Sequence, residues 1–314
     1  MATAVVFAYH NVGVRCLQVL RSQGVRIPLV VTHIDVPAEN IWFESVAAIA
    51  RRHDIAVATP EDPNNGEFVA RICNLRPDFV FSFYYRRMLK PALLAAGARG
   101  ALNMHGSLLP KYRGRAPINW AVIQGERETG ATLHHMADKP DAGDIVDQLA
   151  VPILGDDTAH EVFAKVTVAA EIVLDRSLPG LIDGTAPRIR QDLSLGSYCC
   201  SRKPEDGRID WSRPAASIHN LVRGVAPPYP GALTSLGGKP ARILRTLVEP
   251  ARPSPYPRPT LFFEKGHCYV QCADGGSLRV LELEWNGEIV AGGRIEAAMG
   301  GAPLPLDVPD MEKS

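Results

Sequence analysis

The sequence predicts an α/β protein in two parts: a parallel sheet covered by helices over residues 1–190, then a small β-barrel over 205–314. Three observations carry this. Through the first 150 residues, apolar runs alternate with segments of helical length, the order of successive strand–helix–strand units. Past residue 190 the spacing shortens to several strands in succession, separated by Gly and Pro, as in a small barrel. A chain of 314 residues also exceeds the usual size of one compact core, so two domains are expected.

The strands of the first part are "TAVVFA", "IPLVVTH", "IAVA", "DFVFSF" and "GALNM". Between them, "NVGVRCLQVLRSQG" has apolar residues at 14, 17, 19 and 20 and closes on Gly24, and "IWFESVAAIARRHD" ends in Arg51, Arg52 and His53. Cations there suit a helix C-terminus, so both segments are expected helices. "GATLHHMADKPDAGDIVDQLAVPI" reads as two short strands around a turn, because Pro140 and Gly143 interrupt the apolar alternation. His134 and His135 lie on the first of these; only one is expected to face inward, and both read as structural. A long helix follows at 157–184. Beyond "GTAPRIRQDLSLGSYCC" come a short helix around "PAASIHNLVRGV" and strands near 231–236, 240–248, 260–264, 267–273 and 277–285. The domain boundary falls near 190–205, and "EPARPSPYPRP" is a barrel loop.

Composition narrows the function. The 34 basic and 34 acidic residues cancel, which removes a whole-molecule electrostatic case for nucleic acid or an anionic membrane. Cys16, Cys73, Cys199, Cys200, Cys268 and Cys272 show no CxxC pair, so a reducing compartment is expected. His267, Cys268 and Cys272 can be drawn as a metal cluster, but barrel strands commonly bury lone thiols, and no metal is expected. The run Ala2 to Ala8 lacks a basic lead and reads as a first strand. Nothing approaches the ~18 apolar residues of a membrane span, so the expected location is the cytoplasm.

The chemistry concentrates in "ALNMHGSLLPKYRGRAPINWA", residues 101–121, which sets Asn103 and His105 two positions apart at a strand end. Ligands of such sheets sit beyond the carboxyl ends of the strands. Unpaired buried amide and imidazole groups cost about 1–3 kcal/mol each, so the pair is favourable where it faces a cleft. Spacing puts both on one side of the strand. Asp141, in the turn "KPDAGD", can bring a carboxylate to the same crevice, orienting the imidazole and raising its pKa. Gly106 and Gly114 read as turn residues.

That stretch and "DAGDIV" downstream resemble the motif of the formyltransferases that use 10-formyltetrahydrofolate. The family pattern is an Asn, a His two residues on, Ser-Leu-Leu-Pro, a basic-Gly-x-Ala-Pro loop, and an Asp in Asp-x-Gly. "SFYYRRML", "CSRKPEDGRIDW" and "APPYPGA" extend the resemblance over most of the chain. It implies a Rossmann-like catalytic domain followed by an OB-like barrel. By position, Asn103, His105 and Asp141 would be the catalytic set: Asn103 as oxyanion donor, His105 held cationic by Asp141 as proton shuttle. The folate co-substrate would lie against Arg87, Met88 and Leu89, Arg115, and the loop Ala137, Asp138, Lys139, Pro140 and Asp141.

For the acceptor, methionyl-tRNA formyltransferase shares fold and triad, but holding RNA calls for clustered cations. Residues 211–314 carry eleven basic and ten acidic residues, and "THIDVPAENIWFESV" is acidic where the tRNA enzymes have a basic insertion. "VVFAYHNVG", "ENIWFESVAAIARRHDI" and "FSFYYR" are most similar to the formyltransferase domain of the bifunctional UDP-4-amino-4-deoxy-L-arabinose enzymes of lipid A modification. No GxGxxG segment follows before Ser314, so their oxidative decarboxylase activity is expected to be absent. Arg202 and Lys203 would meet the acceptor diphosphate, and Tyr9 and Trp211 would stack on its base or sugar. A non-catalytic folate- or nucleotide-binding module is the alternative of another class; it would have lost the Asn, His or Asp, and all three are present.

Overall fold

The computed structural model describes residues 1–36, 39–250 and 255–307. The chain divides into two compact units. One comprises Met1–Pro117, Glu128–Pro152 and Phe163–Cys200; the other Ile118–Arg127, Ile153–Val162 and Ser201–Ser314. The second unit therefore draws two segments from the range that the sequence assigns wholly to the first domain.

In chain order the first elements are β1 (Thr3–Ala8), α1 (His10–Ser22), β2 (Arg26–Val31), α2 (Val46–Arg52), β3 (Val57–Ala58), α3 (Gly66–Asn74), β4 (Phe79–Phe83), α4 (Pro91–Leu94) and β5 (Gly100–His105). They are followed by β6 (Arg113–Gly114), α5 (Pro117–Ile123), β7 (Glu128–His135), β8 (Ile145–Pro152), α6 (Ala159–Asp183) and β9 (Tyr198–Cys199). The main sheet runs β3-β2-β1-β4-β5-β7-β8. The first five of these strands are parallel, as expected. The hairpin β7–β8 extends the sheet antiparallel, so the sheet is mixed.

Burial explains the order. β1 and β4 are buried along their whole length, as interior strands covered on both faces must be. Val5, Phe7, Leu29, Val31 and Val80 pack with Phe68, Ile72 and Leu93 on one side of the sheet. On α1, Val14, Leu17, Val19 and Leu20 are buried at the expected spacing. The helix expected over 41–54 is shorter, because Ser45 accepts the Ala48 N–H at 3.2 Å and starts α2 there.

The second unit holds α7 (Ala215–Val225), β10 (Ala232–Leu236), β11 (Lys239–Glu249), β12 (Thr260–Glu264), β13 (His267–Gln271), β14 (Ser277–Trp285), β15 (Glu288–Ala291), α8 (Arg294–Met299) and β16 (Leu304–Pro305). β10-β11-β14-β13-β12-β16 form a curled antiparallel half-barrel, with β15 on β14. Register shifts in β11 between Ile243 and Thr246 supply bulges, which bend and twist a strand. Inside lie Ile218, Val222, Ile243, Val270, Leu278 and Leu283. The recruited segments complete this unit: Asn119 Nδ2 donates to Gly224 O at 2.9 Å, and buried His219 meets Gly155 O at 3.0 Å. Within "EPARPSPYPRP", residues 251–254 lie outside the described residues. Among the described residues no helix is long and apolar enough to cross a membrane, and no group of three or more His, Cys, Asp or Glu side chains could hold a metal ion.

Candidate active site

Strand β5 ends at His105, and its neighbour β7 runs past it with Asn103 opposite His134. The β7–β8 turn returns Asp141 over both. His105 is 6% exposed. Its Nε2 donates to the Tyr112 carbonyl at 2.8 Å, since a carbonyl can only accept, and its Nδ1 faces Asp141 Oδ2 at 3.6 Å. In the neutral ring the lone pair is therefore on Nδ1, on the carboxylate side. Asn103 Nδ2 lies 3.2 Å from His134 Nε2 and donates to Asp141 Oδ1 at 3.4 Å. His134 Nδ1 donates to His135 O at 2.8 Å, and its Nε2 also lies 3.5 Å from Asp141 Oδ1.

Backbone geometry fixes the carboxylate. Asp141 has φ +52°, a left-handed conformation uncommon outside glycine. Gly143 permits the turn, since a Cβ there would overlap the His135 carbonyl oxygen. Gly114 does more than turn: at φ +101° it donates its N–H to Asp141 Oδ2 at 2.9 Å, and a Cβ would overlap Cys199 O. The 107–111 loop is pinned by Thr132, whose hydroxyl donates to Ser107 O at 2.6 Å and accepts the Leu109 N–H at 3.2 Å.

Electrostatics correct one expectation. Burial lowers the His105 pKa, against the raising pull of the Asp141 carboxylate and the Tyr112 carbonyl. Burial thus favours the neutral ring over the cationic form expected from the Asp141 carboxylate alone. Burial also works against ionisation of Asp141, but His105, His134 and the Gly114 N–H together hold its carboxyl well below the usual range.

The structure thus brings Asn103, His105 and Asp141 together and adds His134 and the Gly114 N–H, which read as structural in the sequence. Both His134 and His135 are buried, not one. β7 is buried from Thr129 to His135, so side chains on both of its faces are covered. Ala137, Asp138 and Lys139 are exposed and Pro140 half-buried on the Asp141 turn. Arg115 is exposed next to Gly114, its N–H on Cys199 O at 3.0 Å.

Arg87, Met88 and Leu89 follow β4, the parallel neighbour of β5, so they leave the same edge of the sheet as His105. Arg87 and Met88 are exposed, while Leu89 is buried in the core with Phe7 and Leu93. Asn64 ties this loop down, donating to Met88 O at 3.0 Å and accepting the Lys90 N–H at 2.7 Å. His33 accepts the Arg86 N–H at 3.1 Å; burial, with Arg86 and Arg87, pushes its pKa down to about 4.

Two expected stacking residues are corrected. Tyr9 is 4% exposed, with its hydroxyl on Asp35 at 2.6 Å, its ring under Arg86 at 4.6 Å, and edge contacts to His33 and Phe43. Trp211 lies in the core of the second unit, its indole N–H on Thr234 at 2.9 Å. Neither ring has a face free for a base. Arg202 is half-buried over the Trp120 ring at 5.9 Å, and Lys203 is exposed.

Residues 10–178 match the family model described as formyl transferase, and residues 202–294 match that of the formyl transferase C-terminal domain. The chain is similar to the N-formyltransferase from Helicobacter canadensis, solved with folinic acid and dTDP-3-aminofucose. The identity is 20% and the TM-score 0.70, covering 89% of this chain and 99% of that one. WlaRD, a sugar 3N-formyl transferase solved with dTDP and 5-N-formyl-THF, gives 18%, 0.65, 89% and 97%. A 4-N formyltransferase from Francisella tularensis gives 18%, 0.60, 74% and 91%. At such identities the likeness to these structures is one of fold.

Proposed function

Because the chain belongs to the formyl transferase family, we propose that it transfers a formyl group from 10-formyltetrahydrofolate to the amine of a nucleotide-linked amino sugar, with UDP-4-amino-4-deoxy-L-arabinose as leading acceptor and lipid A modification as its setting. One observation carries the reading: a buried imidazole sets its Nδ1 3.6 Å from the Asp141 carboxylate, beside an amide donor, at the end of a sheet strand.

That set fits the reaction. The donor supplies an activated formyl carbon, which the acceptor amine attacks. Asn103 is the oxyanion donor; its 3.4 Å bond to Asp141 is the weaker of its two contacts and the one an oxyanion replaces. A donor so aimed contributes about 3–4 kcal/mol. His105 Nδ1 accepts the amine proton, and the imidazolium so formed gains the Asp141 charge 3.6 Å away. The same proton then passes to the departing folate nitrogen as its bond to the formyl carbon breaks.

For the acceptor, support comes from the balanced charge of residues 211–314 and the acidic 32–46 segment, neither suited to RNA; of that segment, residues 37–38 lie outside the described residues. The Helicobacter protein was solved with a dTDP-linked 3-amino sugar, and the Francisella protein is described as a 4-N enzyme, so base and amine position both enter the test. Arg202 and Lys203 remain the proposed diphosphate contacts. The purified protein, given 10-formyltetrahydrofolate and a panel of UDP- and dTDP-linked 3- and 4-amino sugars with charged methionyl-tRNA, is expected to add a formyl mass to a UDP-linked 4-amino sugar. Transfer to tRNA alone overturns the sugar reading. Transfer only to a dTDP sugar keeps the mechanism and replaces the leading acceptor.

A further inference from the structure

The segment between α6 and β9 touches both loops of the site. Ile189 exchanges two backbone hydrogen bonds with Ile145, the first residue of β8, each 2.8 Å long. At its far end β9 pairs with β6, where the Arg113 N–H donates to Ser197 O and the Arg115 N–H to Cys199 O, both at 3.0 Å. Between these anchors lies Gln191, 8% exposed. Its Nε2 donates to Asp141 O at 3.0 Å and to Gly143 O at 2.6 Å, using both amide hydrogens. Within the turn itself, Ala142 N–H reaches Lys139 O only at 3.4 Å.

We infer that Gln191 is a positioning residue for formyl transfer: it clamps the two carbonyls of the Asp141 turn, holding Asp141 in its left-handed conformation with the carboxylate on His105 and the Gly114 N–H. The inference rests on the role given to Asp141 above. A left-handed Asp persists only where its surroundings over-determine it. Two neighbouring carbonyls call for two hydrogens on one nitrogen, and a buried Gln supplies them. Glu would oppose lone pairs to lone pairs, and Asn is one methylene short. A linker residue of purely structural role would alter stability without acting through Asp141.

The test combines Gln191→Met, Asp141→Asn and the double variant, with folding checked by thermal melt. In the unliganded protein, an NMR titration of His105, whose ring faces Asp141 and His134, is expected to move toward acid in Gln191→Met, as it does in Asp141→Asn, with no further move in the double variant. Turnover is expected to fall about tenfold in Gln191→Met with donor KM within about twofold, and by less than about twofold when the substitution is added to Asp141→Asn. An unchanged titration with additive losses overturns the inference. Should Gln191→Met fold poorly, Gln191→Asn carries the same cycle. Because the titration needs no substrate, it fails or succeeds independently of which acceptor is formylated.

Discussion

At the scale of single residues, His105 answers two opposed demands. Burial strips water from the ring and lowers its basicity, while Asp141 and the Tyr112 carbonyl favour the proton. Burial therefore favours the neutral ring, the form that the proposed role of proton acceptor requires. Replacing it by Ala is expected to abolish transfer with an unchanged melting temperature; turnover within tenfold of wild type in a folded variant removes it from the mechanism. If Asn103 has the proposed oxyanion-donor role, Asn103→Ala is expected to cost about 100-fold or more in kcat, since that bond would strengthen as the oxyanion forms. An effect confined to KM assigns it to substrate binding. In Asp141→Asn the carboxylate no longer favours imidazolium and burial acts unopposed by it, so His105 deprotonates at lower pH. The acid limb of the kcat profile is then expected to shift toward acid while the maximum falls, and an unshifted limb separates Asp141 from His105. Asn103, His105 and Asp141 are legible in the chain because each sits in a short contiguous motif. His134 and Gln191 arrive from 31 and 50 residues away, through strand pairing and a bridged segment that no local pattern encodes.

Elements differ from their sequence reading for local reasons. A helix begins where a side chain captures its free N–H groups, so Ser45 starts α2 inside the longer segment expected to be helical, and Asn65 starts α3 the same way, accepting the Phe68 N–H at 2.8 Å. The apolar runs identify the parallel strands β1 to β5, but the direction of β7 and β8 depends on a tight turn between them, and with it the placement of Asp141. Gly143 is the weak point of that turn. Gly143→Ala forces a methyl into the His135 carbonyl, and overpacking of this kind costs about 1–3 kcal/mol. A lowered melting temperature and a kcat loss comparable to that of Asp141→Asn are expected. Loss of stability with full turnover would show that the turn shifts without carrying the carboxylate away.

At the scale of the whole molecule, neither unit is a simple half of the chain. The second completes itself with Ile118–Arg127 and Ile153–Val162, which give Gly224 its Asn119 donor and His219 its Gly155 partner, so although the first unit ends at Cys200, inside the 190–205 range, the second draws residues from well upstream of it. Charge is equally dispersed: 34 basic residues against 34 acidic overall, eleven against ten over 211–314. That balance makes a claim about the acceptor that kinetics can read. On a nucleic acid each phosphate neutralised releases condensed counterions, so affinity falls with salt in proportion to the number of phosphates engaged, whereas a small diphosphate has no such atmosphere and is only screened. A nucleotide-linked sugar offers two. Between 50 and 200 mM salt its KM is expected to rise by about tenfold or less, where an RNA held through 6–10 phosphates would weaken by about 10³–10⁵. Initial rates across that range, with the acceptor that the panel identifies and a fixed saturating donor, measure the slope directly. A log–log slope steeper than about four would mean that more anionic contacts form than a diphosphate can supply, and would return a polyanionic acceptor to consideration despite the neutral chain.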